Sequence, residues 1–401
     1  MRKSVVVVLG ILCCGIIAMT VTITYFYNSQ GPGMVLPFRE VTAFSRPAQL
    51  IMVLMPHKAV LMNVSGNSGL SYSELHEPSR FSLQNLSDYG FFPGAAIAVR
   101  PNGSKFYIST ADQLAEYDKT GSLSHLISIA EFRVGPGKYI FGETVQASNE
   151  RLWLSVQSLP RRHSRHFVIE WQPGNDPNTR EIGPEAVLWT VAPSRRQAFV
   201  FGEKTGLSDL DTNSFIEKPW NMYCFADFTE ADGLLLSGVL ASDKYDRVAL
   251  FDLGKDSQKD ITWGAQAQWG SDGYIYFKRG STQLWRCKPD KTKPEPVYLA
   301  TRVPRGGDSG IGNELKLSHD RTFLSFFYRV PHPSGEERRG LVLLGLKNKE
   351  YTDLDSETFC RLYPGPRSQK IAFVDGEIKQ LEKPTKNFWF LINMAWLVTP
   401  E

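Results

Sequence analysis

The densest run of ionisable side chains in this sequence is Arg161-Arg162-His163-Ser164-Arg165-His166. Guanidinium forks and imidazoles spaced so closely can meet an acidic protein, an anionic lipid head group or a phosphate. The same composition also suits a solvated hairpin loop. Arg338-Arg339, beside Pro331-His332-Pro333, repeats the pattern with fewer charges. Gly307-Asp308-Ser309-Gly310 frames a serine between glycines, a setting used by activated nucleophiles, but a serine hydroxyl is weak at neutral pH without a positioned base. No histidine phrase upstream supplies that base, and residues 304–312 read as a Gly-rich loop. Asp209, Asp211, Asp243 and Asp246 have the carboxylates for a calcium or acid–base site. Their places in turns and third strands suit the commoner task of capping local amides.

The histidines are scattered, with only His163 and His166 close together, and no Cys or His spacing matches a zinc site. Of the five cysteines, Cys13 and Cys14 lie in an apolar N-terminal run. Cys224, Cys287 and Cys360 are far apart and odd in number, so they are expected as buried thiols and not as a disulfide framework. Asn63-Val64-Ser65, Asn85-Leu86-Ser87 and Asn102-Gly103-Ser104 are N-glycosylation sequons. No metal, cofactor or catalytic residue is implied. The other candidate for recognition is apolar, a tail carrying Phe388, Trp389, Phe390 and Trp396. It either packs on the body or docks a partner or a membrane interface, and it is shorter than the roughly 20 residues a membrane-crossing helix needs.

These residues sit on a chain with two kinds of segment. Residues 5–27 are uncharged and follow Arg2 and Lys3. As a helix rising about 1.5 Å per residue, such a run crosses a hydrocarbon core of about 30 Å. It is longer than a signal-peptide core and no small-residue cleavage site follows, so it reads as an uncleaved transmembrane signal anchor. The positive residues ahead of it place a stub, 1–4, in the cytoplasm and the body outside, in the periplasm or extracellular space. Residues 28–40 read as a linker. With 45 basic residues against 42 acidic ones and no concentrated basic face, a nucleic-acid partner is not expected. The partners expected are the membrane, through the N-terminal helix, and a protein of the envelope or extracellular space.

From 41 to 383 the dominant pattern is repetition, and 384–401 is the apolar aromatic tail. Turns such as Pro101-Asn102-Gly103, Ala231-Asp232-Gly233, Ser271-Asp272-Gly273 and Ser318-His319-Asp320 recur at intervals of about 40 to 50 residues. Apolar strands follow them, for example Phe106-Tyr107-Ile108 and Tyr274-Ile275-Tyr276-Phe277. Period-2 runs cut by Asn-Gly and Asp-Gly give antiparallel hairpins, because Gly supplies the positive φ of tight turns. Four strands per unit at this period is the pattern of β-propeller blades. Eight turn marks predict an all-β propeller of seven or eight four-stranded blades behind one N-terminal transmembrane helix. Val41-Thr42-Ala43-Phe44 is the candidate strand to close the ring.

The phrase Pro101-Asn102-Gly103-Ser104-Lys105-Phe106-Tyr107-Ile108, echoed at Ser271 and Ser318, resembles the repeat core of TolB-like, WD-repeat-like propellers. The resemblance implies a blade and does not specify an activity. A chain spent on repeated strands, with no convergent nucleophile, base or metal set, is expected to be a non-catalytic scaffold or a protein- or ligand-binding module. The alternative is a propeller enzyme of the lactonase or glycan-lyase type with its site at the central channel. That enzyme requires Asp, Glu, Asn or His from at least three first strands.

Overall fold

The computed structural model describes residues 33–55, 58–65, 70–75, 96–110, 112–148, 150–159, 165–184, 187–192, 197–202, 204–212, 214–220, 223, 225–229, 233–239, 246–290, 293–301, 315–331, 337–355, 370–374, 377–381 and 390–398. The stub 1–4 and the apolar run 5–27 lie outside the described residues, among which no helix is long and apolar enough to cross a membrane.

The described strands form seven four-stranded antiparallel blades. From first strand to fourth, blade 2 is Ala96–Val99, Lys105–Ser109, Gln113–Asp118 and Leu123–Ser128, and blade 3 is Lys138–Ala147, Leu152–Leu159, Arg165–Trp171 and Asn178–Pro184. Blade 4 is Val187–Ala192, Gln197–Phe201, Gly206–Asp209 and Phe215–Glu217, and blade 5 is Phe225–Phe228, Gly233–Val239, Asp246–Asp252 and Ser257–Trp263. Blade 6 is Ala265–Trp269, Ile275–Arg279, Gln283–Cys287 and Glu295–Leu299, and blade 7 is Leu315–Leu317, Phe323–Pro331, Glu337–Gly345 and Glu350–Asp355. Blade 1 has Gln49–Met55, Lys58–Asn63 and Ser71–Glu74 from the N-terminal side, and takes its first strand, Phe390–Leu397, from the other end of the chain. The seven first strands touch one another in a closed cycle around the axis.

Each blade buries both faces against its neighbours, which is why its strands read as unbroken apolar runs. Side chains alternate between the two flanking seams. Tyr107 packs toward blade 3 while Phe106 and Ile108 pack toward blade 1, and Leu235 packs toward blade 6 while Leu234 and Leu236 pack toward blade 4. The core is therefore a ring of seams between blades.

The number of blades is seven because the eighth turn phrase leads to something else. Among the described residues Lys370–Val374 pairs only with Glu377–Leu381, as a two-stranded sheet. Nor does Val41-Thr42-Ala43-Phe44 close the ring, since Phe44 makes just an isolated bridge to Ser65. The aromatic tail does it, because blade 1 lacks a first strand and Phe390–Leu397 pairs along the whole of Gln49–Met55. An unclosed ring would leave that strand's edge unpaired.

Part of the stretch read as a linker is also held. Gly33–Met34 adds an outermost strand to blade 6, antiparallel to Glu295–Leu299, and Arg39–Glu40 adds one to blade 7, parallel to Glu350–Asp355. Glu350, 2% exposed at its side chain, fastens the second addition: its Oε1 accepts from Arg39 Nη2 at 2.5 Å. Its Oε2 accepts from the Ser45 amide and hydroxyl, both at 3.1 Å. Burial alone would raise the Glu350 carboxyl, but these donors outweigh it and hold the group below its ordinary value. A depressed carboxyl contributes stability above its unfolded value and loses it as pH falls through the folded one. Limited proteolysis within 33–45 should therefore accelerate below about pH 4.5. In Glu350→Gln that cleavage should already be fast at neutral pH, as mass spectrometry of the fragments would show.

Candidate functional site

Strand direction sorts the connections onto two faces. Connections between first and second and between third and fourth strands are short turns on one face, called here the turn face. Those between second and third strands and from blade to blade lie on the other, the long-connection face. Residues 75–95, 300–314 and 356–389 all leave from it.

On the turn face Asp118, Asp209 and Asp252 are occupied locally. Asp209 Oδ1 accepts from the amides of Asp211 at 2.9 Å and Thr212 at 2.7 Å and from the Thr212 hydroxyl at 2.9 Å. The Thr212 amide leads the interactions that hold this carboxyl below its ordinary value. Asp118 and Asp252 cap their turns in the same way. Asp246 instead begins a third strand near the long-connection face, where burial raises its carboxyl against the opposing charge of Lys278. Among the described residues no group of three or more His, Cys, Asp or Glu side chains could hold a metal ion.

The basic run falls in the blade 3 connection on the long-connection face, where Arg161, Arg162 and His163 lie outside the described residues. The structure places the remaining two at the start of Arg165–Trp171. Arg165 donates from Nε to Glu181 Oε1 at 2.8 Å and from Nη2 to the other carboxylate oxygen, and it stacks over Phe167. His166 is buried. Arg165 thus has its own carboxylate, and His166 faces the seam. Phe388 and Trp389 lie outside the described residues, as do Asp243, residues 302–314 and His332. Phe390 starts the closing strand. Trp396, 2% exposed, stacks on Phe323 with centroids 5.0 Å apart and donates from Nε1 to Lys316 O at 3.2 Å.

Around the channel, polar side chains stitch successive first strands together. Gln146 of blade 3 donates to Thr190 Oγ1 at 2.9 Å and accepts from the Val191 amide in blade 4. Asp227 of blade 5 accepts from the Trp269 amide in blade 6 at 3.1 Å, and Gln268 donates to Leu315 O in blade 7 at 3.1 Å. The first strands of blades 3, 4 and 6 carry register shifts at Phe141/Val145, Leu188/Thr190 and Ala265/Gln268. Bulges of this kind re-aim side chains next to a channel. In blade 7, Leu315 and Leu317 pack toward blade 6, so the alternate residue, Lys316, turns toward blade 1. Burial pulls its ammonium down to about 8.

Arg321 spans this ring from the turn face. It occupies, at φ 59°, the position that glycines hold at Gly103 and Gly273. Its Nη1 reaches Asp227 Oδ2 at 2.9 Å and Trp269 O at 2.8 Å, while Nη2 reaches Asp227 Oδ1 at 3.1 Å and Phe228 O at 2.6 Å. One guanidinium therefore ties blades 5, 6 and 7.

At the long-connection end of the seam between blades 5 and 6 is a second, differently built cation. Arg279, 7% exposed, has its guanidinium carbon 4.0 Å from the ring centroids of both Trp263 and Trp285. Trp263 ends the outer strand of blade 5 and Trp285 lies on the third strand of blade 6, so the three meet only after both blades form. Two long bonds run from Arg279 to Trp263 O at 3.4 Å and Thr262 Oγ1 at 3.3 Å. Among the described residues no carboxylate pairs with it. Burial lowers the guanidinium to about 10, which leaves it charged at neutral pH.

The neighbouring Cys287 is buried, and burial pushes its thiol up to about 11, against the pull of Arg279. Thiolate is the reactive form. Iodoacetamide at pH 7.5 should leave Cys287 unmodified in the native protein and alkylate it after denaturation. Stoichiometric native labelling in a peptide map would contradict this placement.

No protein-family model matches the chain, and no curated protein matches it. Among solved structures it is similar to TolB from Acinetobacter baumannii, at 10% identity over 88% of this chain and 67% of that one, with a TM-score of 0.42. It is also similar to oligogalacturonate lyase from Vibrio parahaemolyticus, at 8% identity over 74% and 87%, TM-score 0.49. A third is the β-propeller domain of Cps50 (Swd1) from Myceliophteria thermophila, at 10% identity over 66% and 86%, TM-score 0.39. The likeness is one of fold, and residue roles do not transfer at these identities.

Proposed function

We propose that this chain is an extracytoplasmic binding module, a non-catalytic propeller tethered by its N-terminal segment, whose long-connection face takes a protein or ligand partner. The observation that carries the reading is the contrast between the faces. The turn face has short connections, in three of which an aspartate, Asp118, Asp209 or Asp252, is capped by amides of its own turn. At the opposite face the chain leaves Leu75, Ala300 and Asp355 for its three longest connections between blades, and long connections in compact domains commonly serve binding. Gly33, the first described residue, pairs with Leu299 at the long-connection end of blade 6, which supports a tether that meets the body on the side of this same face. A partner held there is itself at or near the membrane.

The enzyme alternative draws on the described first strands for Glu143, Asp227 and Asn393, one each from blades 3, 5 and 1. Asp227 is engaged by Arg321 and the Trp269 amide, and Asn393 Oδ1 accepts from the Met394 amide. The binding reading is tested by photo-crosslinking in native membranes, with p-benzoylphenylalanine placed at Arg161 or Gly307, in connections that leave strands ending at the long-connection face, and at Lys119 or Asp211 on the turn face. A discrete adduct from the first pair and none from the second is expected. Adducts from the turn face alone, or from neither, would sink the proposal.

A further inference from the structure

We propose that Arg279, with Trp263 beside it, is a carboxylate-binding site on the long-connection face. This deepens the binding-module reading and rests on it, by naming the chemistry that one seam of the face recognises.

A guanidinium taken out of water is expensive unless it is paired, and three other well-buried arginines among the described residues meet that cost with carboxylates: Arg46 with Asp320 at 2.8 Å, Arg321 with Asp227 at 2.9 Å, and Arg286 with Glu295 at 2.8 Å. Arg279 is as enclosed as they are and has two indoles and two long hydrogen bonds instead. Indole faces attract a cation, which keeps Arg279 charged and in place, but they satisfy none of its N–H donors. Among the described residues Nη1 has no acceptor. Of its five N–H donors two are used by described residues, so three are left over.

The shape of the site selects the acceptor. With indoles lying against the guanidinium, the donors left over point along its own plane. A carboxylate is flat and carries two oxygens spaced for that fork. A tetrahedral phosphate would drive an oxygen out of the plane toward an indole. Trp263 is 40% exposed, so the edge of the cluster is open to solvent at the mouth of the seam. Trp285 is the fixed wall, since its Nε1 donates to Gln283 Oε1 at 2.8 Å and Gln283 in turn donates to Thr301 O at 2.8 Å. The carboxylate could belong to a small free acid or to an acidic segment of a protein. The chemistry at Arg279 is the same for both.

The test uses the full-length chain in detergent, labelled with 5-fluorotryptophan and followed by fluorine NMR, with signals assigned through single Trp→Phe variants. It is titrated at constant ionic strength with acetate, a hexaglutamate peptide and inorganic phosphate. The Trp263 and Trp285 signals should move saturably with acetate and with hexaglutamate, and not with phosphate. Binding at least tenfold tighter per carboxylate for the peptide identifies a protein segment as the source, and equal binding identifies a small acid. Arg279→Lys keeps the charge and loses the flat fork, and should weaken binding at least tenfold. Should that variant lose its fold, Trp263→Leu at the half-exposed position, read through Trp285, should show the same loss. If neither carboxylate produces saturable movement, or phosphate saturates equally well, the cluster is a structural staple and the proposal is overturned. The crosslinking reading of the whole face would survive that outcome.

Discussion

Replacing Trp396 with alanine should destabilise the protein by about 3 to 5 kcal/mol, the range for removing a large buried aromatic side chain. The residue is in the closing strand, and its loss acts on the seam between blades 7 and 1, where it packs with Phe323, Leu50, Met394 and Met52. It also removes the indole donor to Lys316 O, which ties the first strands of blades 1 and 7. Guanidinium denaturation would report a lower midpoint with little change in slope. A midpoint equal to that of the parent would contradict the closing role. Truncation after Leu381 should be worse, because it strips the partner from Gln49–Met55 and exposes Leu50, Ile51 and Met52 along an open edge. Aggregation on gel filtration is the expected readout. Loss of a bound partner on that truncation would therefore report unfolding before it reported docking.

Asp227→Ala should cost about 2 to 4 kcal/mol, somewhat under the range for breaking a fully buried ion pair. The discount follows from exposure, since the Arg321 and Asp227 side chains keep 17% and 23% of theirs. The substitution takes the bidentate carboxylate from a guanidinium that also holds Trp269 O and Phe228 O, so the effect spreads over three blades. Arg321→Gly separates two opposed effects. It relieves a left-handed backbone at φ 59°, a cost of about 1 to 2 kcal/mol for a non-glycine residue, and it deletes the clasp. Loss of the clasp outweighs the relief, so the variant should be less stable than the parent, and the double variant Asp227→Ala/Arg321→Gly should be less destabilised than the sum of the two singles. Thermal unfolding checks all three, and a more stable Arg321→Gly protein would show that the clasp is worth less than its strain.

Which parts of this molecule were legible in the sequence follows from how local their signals are. A blade announces itself within one unit, through Asn-Gly or Asp-Gly turns with Gly103 and Gly273 at positive φ and strands apolar on both faces. The closing strand does not. Phe390–Leu397 has no turn phrase of its own, and its partner Gln49–Met55 lies at the far end of the chain. The hairpin Lys370–Val374 and Glu377–Leu381 misleads in the opposite direction, since it carries blade-like chemistry without a blade around it. Two-residue strands such as Gly33–Met34 and Arg39–Glu40 are too short for any period to show. The side-chain clusters that join blades were hidden for a related reason. Trp263, Arg279 and Trp285 come from three strands in two blades, and Asp227 and Arg321 are joined only across the ring. One signal was present, the charged pair Lys278-Arg279 ending the buried strand Ile275–Arg279. Charge at the end of an otherwise apolar strand asks for a partner that the strand itself cannot provide.

Closure of the ring by the aromatic tail and recognition on the long-connection face are tested together by locking the closing strand in place. Ile51 and Ala395 are register partners, and antiparallel partners about 4.5 to 5.5 Å apart at Cα are within reach of a disulfide. The chain carrying Ile51→Cys and Ala395→Cys should form that bond in native membranes, seen as a mobility shift absent from either single variant, and the locked protein should still give the Arg161 photo-adduct. Failure of the bond to form would remove the closing strand. Its formation with loss of the adduct would make that strand the docking element, and either result would contradict the division of roles between tail and face.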